Sequence, residues 1–399
     1  MICLSSSRIF SAFVVSFFLF GVNFAEAYPE FIGYGYNSCL TCHYNGQGGG
    51  PLNDYGRALW SAEIASRAFY PKTMTDEQIA ENSGFFGSLH TPDWLRPHIK
   101  YRGLELETNP ASSKSQTKYF LMQTDMGLTI LPDSEGKYLA TATWGRVVHP
   151  QNFGLGTEGA DRFLATEYYL RVEVVQTWWL YAGLMEKVFG LRNIDHTSYQ
   201  RTYQGFNVQN DTADGSANSQ GLVLQKIEEK WDVAVNYFFG NPYDSSQYQQ
   251  KGLSAMGEFE VGDKKRLGLS VLSESSQVLK KNLAAIHYRQ ALSKGSAVMA
   301  EWGLIQDEPT GSDKAVGSYG LLQSMLEFTR GYNVTTTIEH YNREFKSSSG
   351  DNWKWSLGLL MFPAPRFELR LAVVNERQIS ATESQDDLWS IQGQLHVSL

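Results

Sequence analysis

Cys39 and Cys42 are separated by two residues, and His43 follows the second at once. C-x-x-C-H is the attachment sequence of a c-type haem. Its two thiols form thioether bonds to the porphyrin, and the adjacent imidazole takes one axial position on the iron. Cys39, Cys42 and His43 are thus the candidate cofactor residues for one covalent haem c, with His43 as the proximal iron ligand. Two other chemistries use the same residue types. A disulfide or redox C-x-x-C calls for a thioredoxin-like βαβ context, and structural zinc calls for four ligands in recognisable pairs. The sequence carries neither context. The third cysteine, Cys3, falls in a stretch that reads as a removable leader.

The second axial ligand has several candidates. Met74 and His90 are the nearest after His43, followed by His98, and an open or externally supplied position is the alternative. Methionine would raise the potential relative to a second histidine, and an open position would admit a small ligand. Each candidate also has a plainer use, Met74 as a gap-filler beside a helix start and His90 as a loop residue in Ser88-Leu-His-Thr-Pro92. Arg57 is a candidate partner for a haem carboxylate, because a guanidinium pairs with it bidentately.

The elements around these residues divide the chain into three parts. Residues 1–27 read as a secretory signal, with Arg8, the uncharged run Ile9 to Phe20, and Ala25-Glu26-Ala27 as a cleavage site. Export suits covalent haem attachment, which takes place outside the bacterial cytoplasm. Residues 28–95 form the haem-binding segment. There Leu59, Ile64 and Phe69 predict a short amphipathic helix, and Thr75-Asp-Glu-Gln78 has the spacing of a capping box.

From residue 96 to 399 the hydrophobic period is two. Trp231, Val233, Val235, Tyr237 and Phe239 share one face, and Asp232 and Asn236 the other; Leu164, Tyr168, Leu170, Val172 and Val174 alternate with Glu167, Arg171 and Glu173. Segments of this kind recur between turn-rich stretches and end in an alternating strand from Trp389 to Leu399. They predict a mainly β fold, a transmembrane antiparallel β-barrel of sixteen strands with 199–210 inside a loop. Trp178-Trp179, Phe238-Phe239 and Trp353 with Trp355 fit interfacial aromatic girdles. The lumen charges Arg146, Arg171, Arg192, Arg201, Asp195 and His196 are candidates for a constriction.

Composition narrows the function. The net charge is −8, and loss of Arg8 and Glu26 with the leader leaves it unchanged. With no basic stripe to neutralise phosphates, nucleic acid is not an expected partner. No nucleophile, zinc-protease or phosphate-loop motif is found, so an enzyme is not expected.

Taken together, Tyr36-Asn-Ser-Cys-Leu-Thr-Cys-His43, Leu52-Asn-Asp-Tyr-Gly-Arg57, Trp94-Leu-Arg-Pro97 with Tyr101-Arg102, and Gly190-Leu-Arg-Asn-Ile-Asp-His-Thr-Ser-Tyr199 make the chain resemble bacterial outer-membrane porin-like proteins with an N-terminal c-type haem segment. The resemblance covers essentially the whole chain after the leader, and only its haem motif is chemically specific. It implies an outer-membrane location with the haem held at the periplasmic end of the barrel. Two functions follow. The first is an outer-membrane c-type cytochrome that transfers electrons at the periplasmic side, with periplasmic redox proteins or cytochromes as partners. The second is a diffusion porin whose haem segment is a plug, a sensor or a structural element. One haem cannot by itself carry electrons across a hydrocarbon layer about 30 Å thick.

Overall fold

The computed structural model describes residues 29–36, 38–48, 50–85, 89–109, 115–147, 162–192, 198–206, 216–346, 351–378 and 387–399. The predicted signal, 1–27, lies outside them. The chain opens with short helices: α1 (Pro29–Ile32), α2 (Cys39–Cys42), α3 (Asp54–Leu59) continuing into a π-helical turn (Trp60–Ile64), and α4 (Asp76–Glu81). Sixteen strands follow: β1 (Leu95–Thr108), β2 (Gln116–Ile130), β3 (Tyr138–Val147), β4 (Arg162–Val175), β5 (Trp178–Glu186), β6 (Asn218–Ile227), β7 (Trp231–Phe238), β8 (Lys251–Gly262), β9 (Lys265–Ser275), β10 (Leu279–Ser293), β11 (Ser296–Pro309), β12 (Ala315–Thr329), β13 (Tyr332–Asn342), β14 (Asp351–Ala364), β15 (Phe367–Gln378) and β16 (Asp387–Ser398). Helix α5 (Tyr199–Gln204) lies between β5 and β6.

Each strand pairs antiparallel with its sequence neighbours, and β1 pairs with β16 from Lys100↔Ser398 to Thr108↔Ser390, so the sheet closes into the predicted sixteen-strand barrel. Closure removes the unpaired edges that an open sheet would present. Period-two alternation decides which way each side chain points. Leu170, Val235, Tyr237 and Ile391 are exposed on the outside, while Arg171, Asp232 and Asn236 are buried inside. No helix among the described residues is long and apolar enough to cross a membrane.

The same rule corrects the aromatic assignment. Adjacent residues on a strand face opposite sides, so Trp178 and Phe239 point outward, whereas Phe238 is buried inside and Trp179 packs under the Arg171 guanidinium at 4.5 Å. Of each adjacent pair, only one member can serve a girdle, whereas Trp353 and Trp355, two residues apart, share a face.

The two ends of the barrel differ. Tight turns such as Gln176-Thr177, Asp263-Lys264, Arg330-Gly331 and Pro365-Arg366 close the end at which the chain enters β1 and leaves β16. The opposite end carries the longer connections; of the longest, between β5 and β6, the described stretches 187–192 and 198–206 turn back into the lumen.

Residues 29–85 form no separate body beside the barrel. They are folded into its mouth at the tight-turn end. Phe31, Cys42, Leu52, Leu59, Trp60 and Ile64 share one apolar cluster with Met325, Leu360 and Phe362 of the wall, and Trp60 meets Phe362 edge-on at 5.5 Å. The capping box at Thr75 forms as predicted and starts α4. The predicted amphipathic helix ends sooner than expected: α3 and its π turn stop at Ile64, and Phe69 is exposed beyond them.

Candidate functional site

The C-x-x-C-H motif is built by local geometry and then braced from a distance. α2 places Cys39 and Cys42 one turn apart, and His43 terminates it in an extended conformation with its amide donating to the Cys39 carbonyl at 2.9 Å. Asn53 secures this turn. Its amide donates to the Cys42 carbonyl, its side-chain nitrogen reaches the Leu40 and Thr41 carbonyls at 3.2 and 2.9 Å, and its side-chain oxygen caps α3. Gly56 lies so close to α2 that a Cβ there would stand 2.3 Å from the Cys42 carbonyl oxygen. Asp54 holds Arg96 bidentately at 2.7 Å, and Arg57 donates to the Pro97 carbonyl at 3.0 Å. The two quoted segments Leu52–Arg57 and Trp94–Pro97 are thus the two halves of one joint.

This joint accounts for Arg57 without a haem carboxylate: its guanidinium is buried and committed to the start of β1. Burial lowers its affinity for the proton, offset in part by Tyr44 and Asp54.

Further contacts clasp the segment all round. Lys100 donates to the Gly50 carbonyl at 2.9 Å and Arg171 to that of Tyr44 at 2.8 Å. Arg330 reaches the Ala65 carbonyl at 2.9 Å and Asp76 at 3.1 Å, and Arg366 donates to the Ser83 and Phe85 carbonyls. Gly331, at φ 81°, brings the β12–β13 turn so close that a Cβ there would lie 2.5 Å from the Ser66 nitrogen.

From the other side the inward segment, described over 187–192 and 198–206, reaches across the lumen to β7, β9, β11 and β13. Its amides are taken by the wall: Val188 by Asn236 at 3.3 Å, Gly190 by Ser270 at 2.9 Å, Leu191 by Glu301 and Gln200 by Glu339 at 3.2 Å. Glu301 also accepts from Gln204 and Tyr319, both at 2.6 Å. Arg192 pairs with Glu186 at 2.8 Å and donates to the Gly48 carbonyl, so the inward segment touches the N-terminal one.

Between the two bodies and the wall lies a cavity of about 90 Å³. Cys39 borders it, as do Glu30, Lys187, Arg192, Glu258 and Arg289. Both cysteines are free thiols. Burial raises the Cys39 thiol, with the Arg289 charge opposing it, and burial pushes Cys42 up to about 12. Burial, and next the charge of Glu368, lift Glu30 to about 8.

The residues present fit a covalent haem in kind. Two unbridged thiols stand one helical turn apart with an imidazole adjoining. One thiol borders that cavity. The other sits in an apolar cluster that reaches the same cavity through Leu360. His43 is buried, with its ring edge-on to Phe31 at 6.0 Å.

The other sequence candidates are dispersed. Met74 is half-buried, with its carbonyl accepting from Arg67; His90 is exposed; neither lines the cavity. His98 is buried in β1 with Nε2 2.9 Å from the Thr143 hydroxyl. Arg146 lies on β3 and Arg201 stands 3.5 Å from Glu186, while Asp195 and His196 lie outside the described residues. Sequence reasoning missed Glu301 and Glu339, whose roles depend on partners about a hundred residues away.

The architecture so defined is a closed sixteen-strand antiparallel barrel with its lumen filled from both ends. Solved structures of the same architecture include the anion-selective porin from Comamonas acidovorans, at TM-score 0.57 and 9% identity over 76% of this chain and 99% of that one. Two others are the outer-membrane channel DcaP of Acinetobacter baumannii, at 0.54 and 9% over 76% and 97%, and the high-pH form of Pseudomonas putida OprB, at 0.57 and 9% over 77% and 94%. At these identities the likeness is one of fold. No protein-family model matches the sequence, and no curated protein matches it.

Proposed function

We propose that this protein is an outer-membrane barrel of the porin type whose lumen is stoppered, from the tight-turn end, by a segment that carries one covalent haem c. The observation that carries the reading is the placement of residues 29–85 inside the barrel mouth, against an inward segment that narrows the lumen from the other side. An outer face studded with exposed Leu, Val, Trp and Phe side chains is what a lipid-facing barrel requires, and a charged lumen is what a water-filled path requires. In bacterial barrels the short turns face the periplasm, and the position of the segment at the tight-turn end supports a periplasmic stopper. Small polar solutes would pass around or beside the stopper, through the charge-lined cavity.

Of the two functions the sequence suggests, the channel rests on the fold and the lumen together. Electron transfer rests on the motif. When bound, haem c supplies a one-electron redox centre. Cys39 and Cys42 would anchor it, His43 would ligate it, and Phe31, Leu52 and Trp60 would exclude water from the imidazole. Exchange of electrons with periplasmic cytochromes is compatible with a stopper on the periplasmic side.

The test is purification of the full chain from membranes of a host that matures c-type haem. The protein should fractionate with outer membranes, show heat-modifiable gel mobility, and carry haem-dependent peroxidase stain that Cys39→Ala with Cys42→Ala abolishes. Soluble periplasmic material without heat-modifiable mobility contradicts the barrel reading, and a stain-free mature protein contradicts the haem reading.

A further inference from the structure

We propose that the cavity between the stopper and the inward segment binds one small monovalent cation, of alkali-metal or ammonium type, on the Glu30 carboxylate. The proposal rests on the stopper reading above and is independent of the haem. Glu30 lies in α1, which is fixed to the wall by its neighbours. Phe31 and Ile32 are buried in two different apolar clusters, each shared with the barrel. The Gly33 carbonyl accepts from the Gly295 amide at 2.7 Å, and a Cβ on Gly33 would stand 2.3 Å from the Gly295 carbonyl carbon. Glu30 is thereby carried to the cavity with 6% of its surface exposed.

Every other carboxylate that lines the cavity has a side-chain partner: Glu186 has Arg192 at 2.8 Å, Asp232 has Gln225 at 2.9 Å, Glu258 has His287 at 2.8 Å and Arg289, and Glu368 has His396 at 3.0 Å. Glu30 has none among the described residues. It faces its own backbone amide, with the Glu368 charge working against its ionised form and that of Arg102 favouring it. A buried carboxylate without a partner is costly, so either a proton or a cation must cancel it. Burial raises Glu30 to about 8, which leaves it protonated when alone; a cation beside it restores the carboxylate. Size and ligands choose the cation. About 90 Å³ holds several water-sized groups and falls short of the about 300–1,000 Å³ of organic-ligand pockets. A divalent ion such as calcium gathers several carboxylates, and among the described residues no three His, Cys, Asp or Glu side chains converge in that way. Neutral oxygens suited to a monovalent ion are at hand on Gln47, Gln323 and Thr335, which line the same cavity.

The experiment uses the full-length barrel at neutral pH and constant ionic strength, with trypsin cleavage after Arg57 and Arg67 as the measure of stopper seating. Potassium, sodium and ammonium chloride are each compared with the chloride of N-methylglucamine, a cation too large for the cavity. At least one small cation should slow cleavage several-fold and saturably, and the one that acts at the lowest concentration identifies the occupant. Glu30→Gln should cleave at one rate in every salt, Glu30→Asp should keep the dependence at a higher half-saturating concentration, and Glu81→Gln, on the exposed face of α4, should behave as wild type. Equal rates for wild type in all four salts overturn the proposal, and so does a dependence that survives in Glu30→Gln. If Glu30→Gln fails to seat, shown by rapid cleavage in every salt, thallous-ion binding to wild type decides: one potassium-displaceable site per chain supports the proposal and none overturns it. Wild type cleaved rapidly in every salt overturns the stopper reading beneath it.

Discussion

The stopper and the inward segment both fill the lumen, and the wall holds them by opposite means. The stopper is built from four- to six-residue helices joined by irregular turns, which leave many backbone carbonyls without helical partners. Wall cations take those carbonyls: Lys100, Arg171, Arg330 and Arg366. The inward segment presents amides and side-chain donors instead, and wall carboxylates take them at Glu301 and Glu339. Charge on the inner wall therefore follows the backbone polarity of what lies against it. Arg192, reaching from the inward segment to the Gly48 carbonyl, is the place where the two systems join.

Substitutions should separate the two systems, beginning with the largest effect. Glu301→Ala removes the acceptor shared by Leu191, Gln204 and Tyr319, each a charged hydrogen bond worth about 1.5–3 kcal/mol, and leaves buried donors unsatisfied. The inward segment should come away from the wall, with faster amide exchange over 188–204 and unchanged exchange over 53–64. Equal acceleration in both segments would show that they are one body.

The outer face supplies the next effect. Leu170→Arg puts a charge on the lipid side and should cost about 2–4 kcal/mol if it lies near the bilayer midplane, impairing assembly as read by heat-modifiable mobility. Glu173→Gln on the same strand should assemble normally. A soluble, well-folded Leu170→Arg protein would contradict the assignment of faces.

A smaller effect is expected from Arg330→Ala, which frees the Ala65 carbonyl and Asp76 at a half-exposed site, about 1.5–3 kcal/mol at most. Trypsin should then cut sooner after Arg57 and Arg67, with Glu301 contacts undisturbed. Protection equal to wild type would remove Arg330 from the clasp.

A further effect is a pH dependence. Glu30 has its pKa raised from 4.5 to about 8 when the stopper is seated, chiefly by burial and then by the charge of Glu368. A raised carboxyl contributes stability that is complete below about 4.5 and is lost as pH rises through about 8. Seating should weaken across that window, and Glu30→Gln should flatten the profile of trypsin sensitivity. A profile that strengthens with pH would have the wrong sign.

Much of the wall was legible in the sequence because its period is local. Val235 and Tyr237 against Asp232 and Asn236 need only a two-residue rule to assign their sides. The haem motif was legible for the same reason, since its three residues are contiguous. The position of the stopper was not, because its clasps join residues far apart, such as Ala65 with Arg330 and Tyr44 with Arg171. Leu52–Arg57 and Trp94–Pro97 stood out as segments, but their pairing through Asp54 and Arg96 requires the folded chain. The aromatic pairs were misjudged where adjacency was taken for a shared face, and Phe69 was drawn into a helix that a π turn ends five residues earlier.

Single-channel conductance in a planar bilayer is the direct measure of whether the N-terminal segment stoppers the lumen. Wild type should show small or infrequent openings, and Arg330→Ala combined with Arg366→Ala should raise open-channel conductance or opening frequency several-fold while the barrel remains heat-modifiable. Wild type and the double variant conducting alike, with the variant's stopper shown by trypsin to be released, would contradict it.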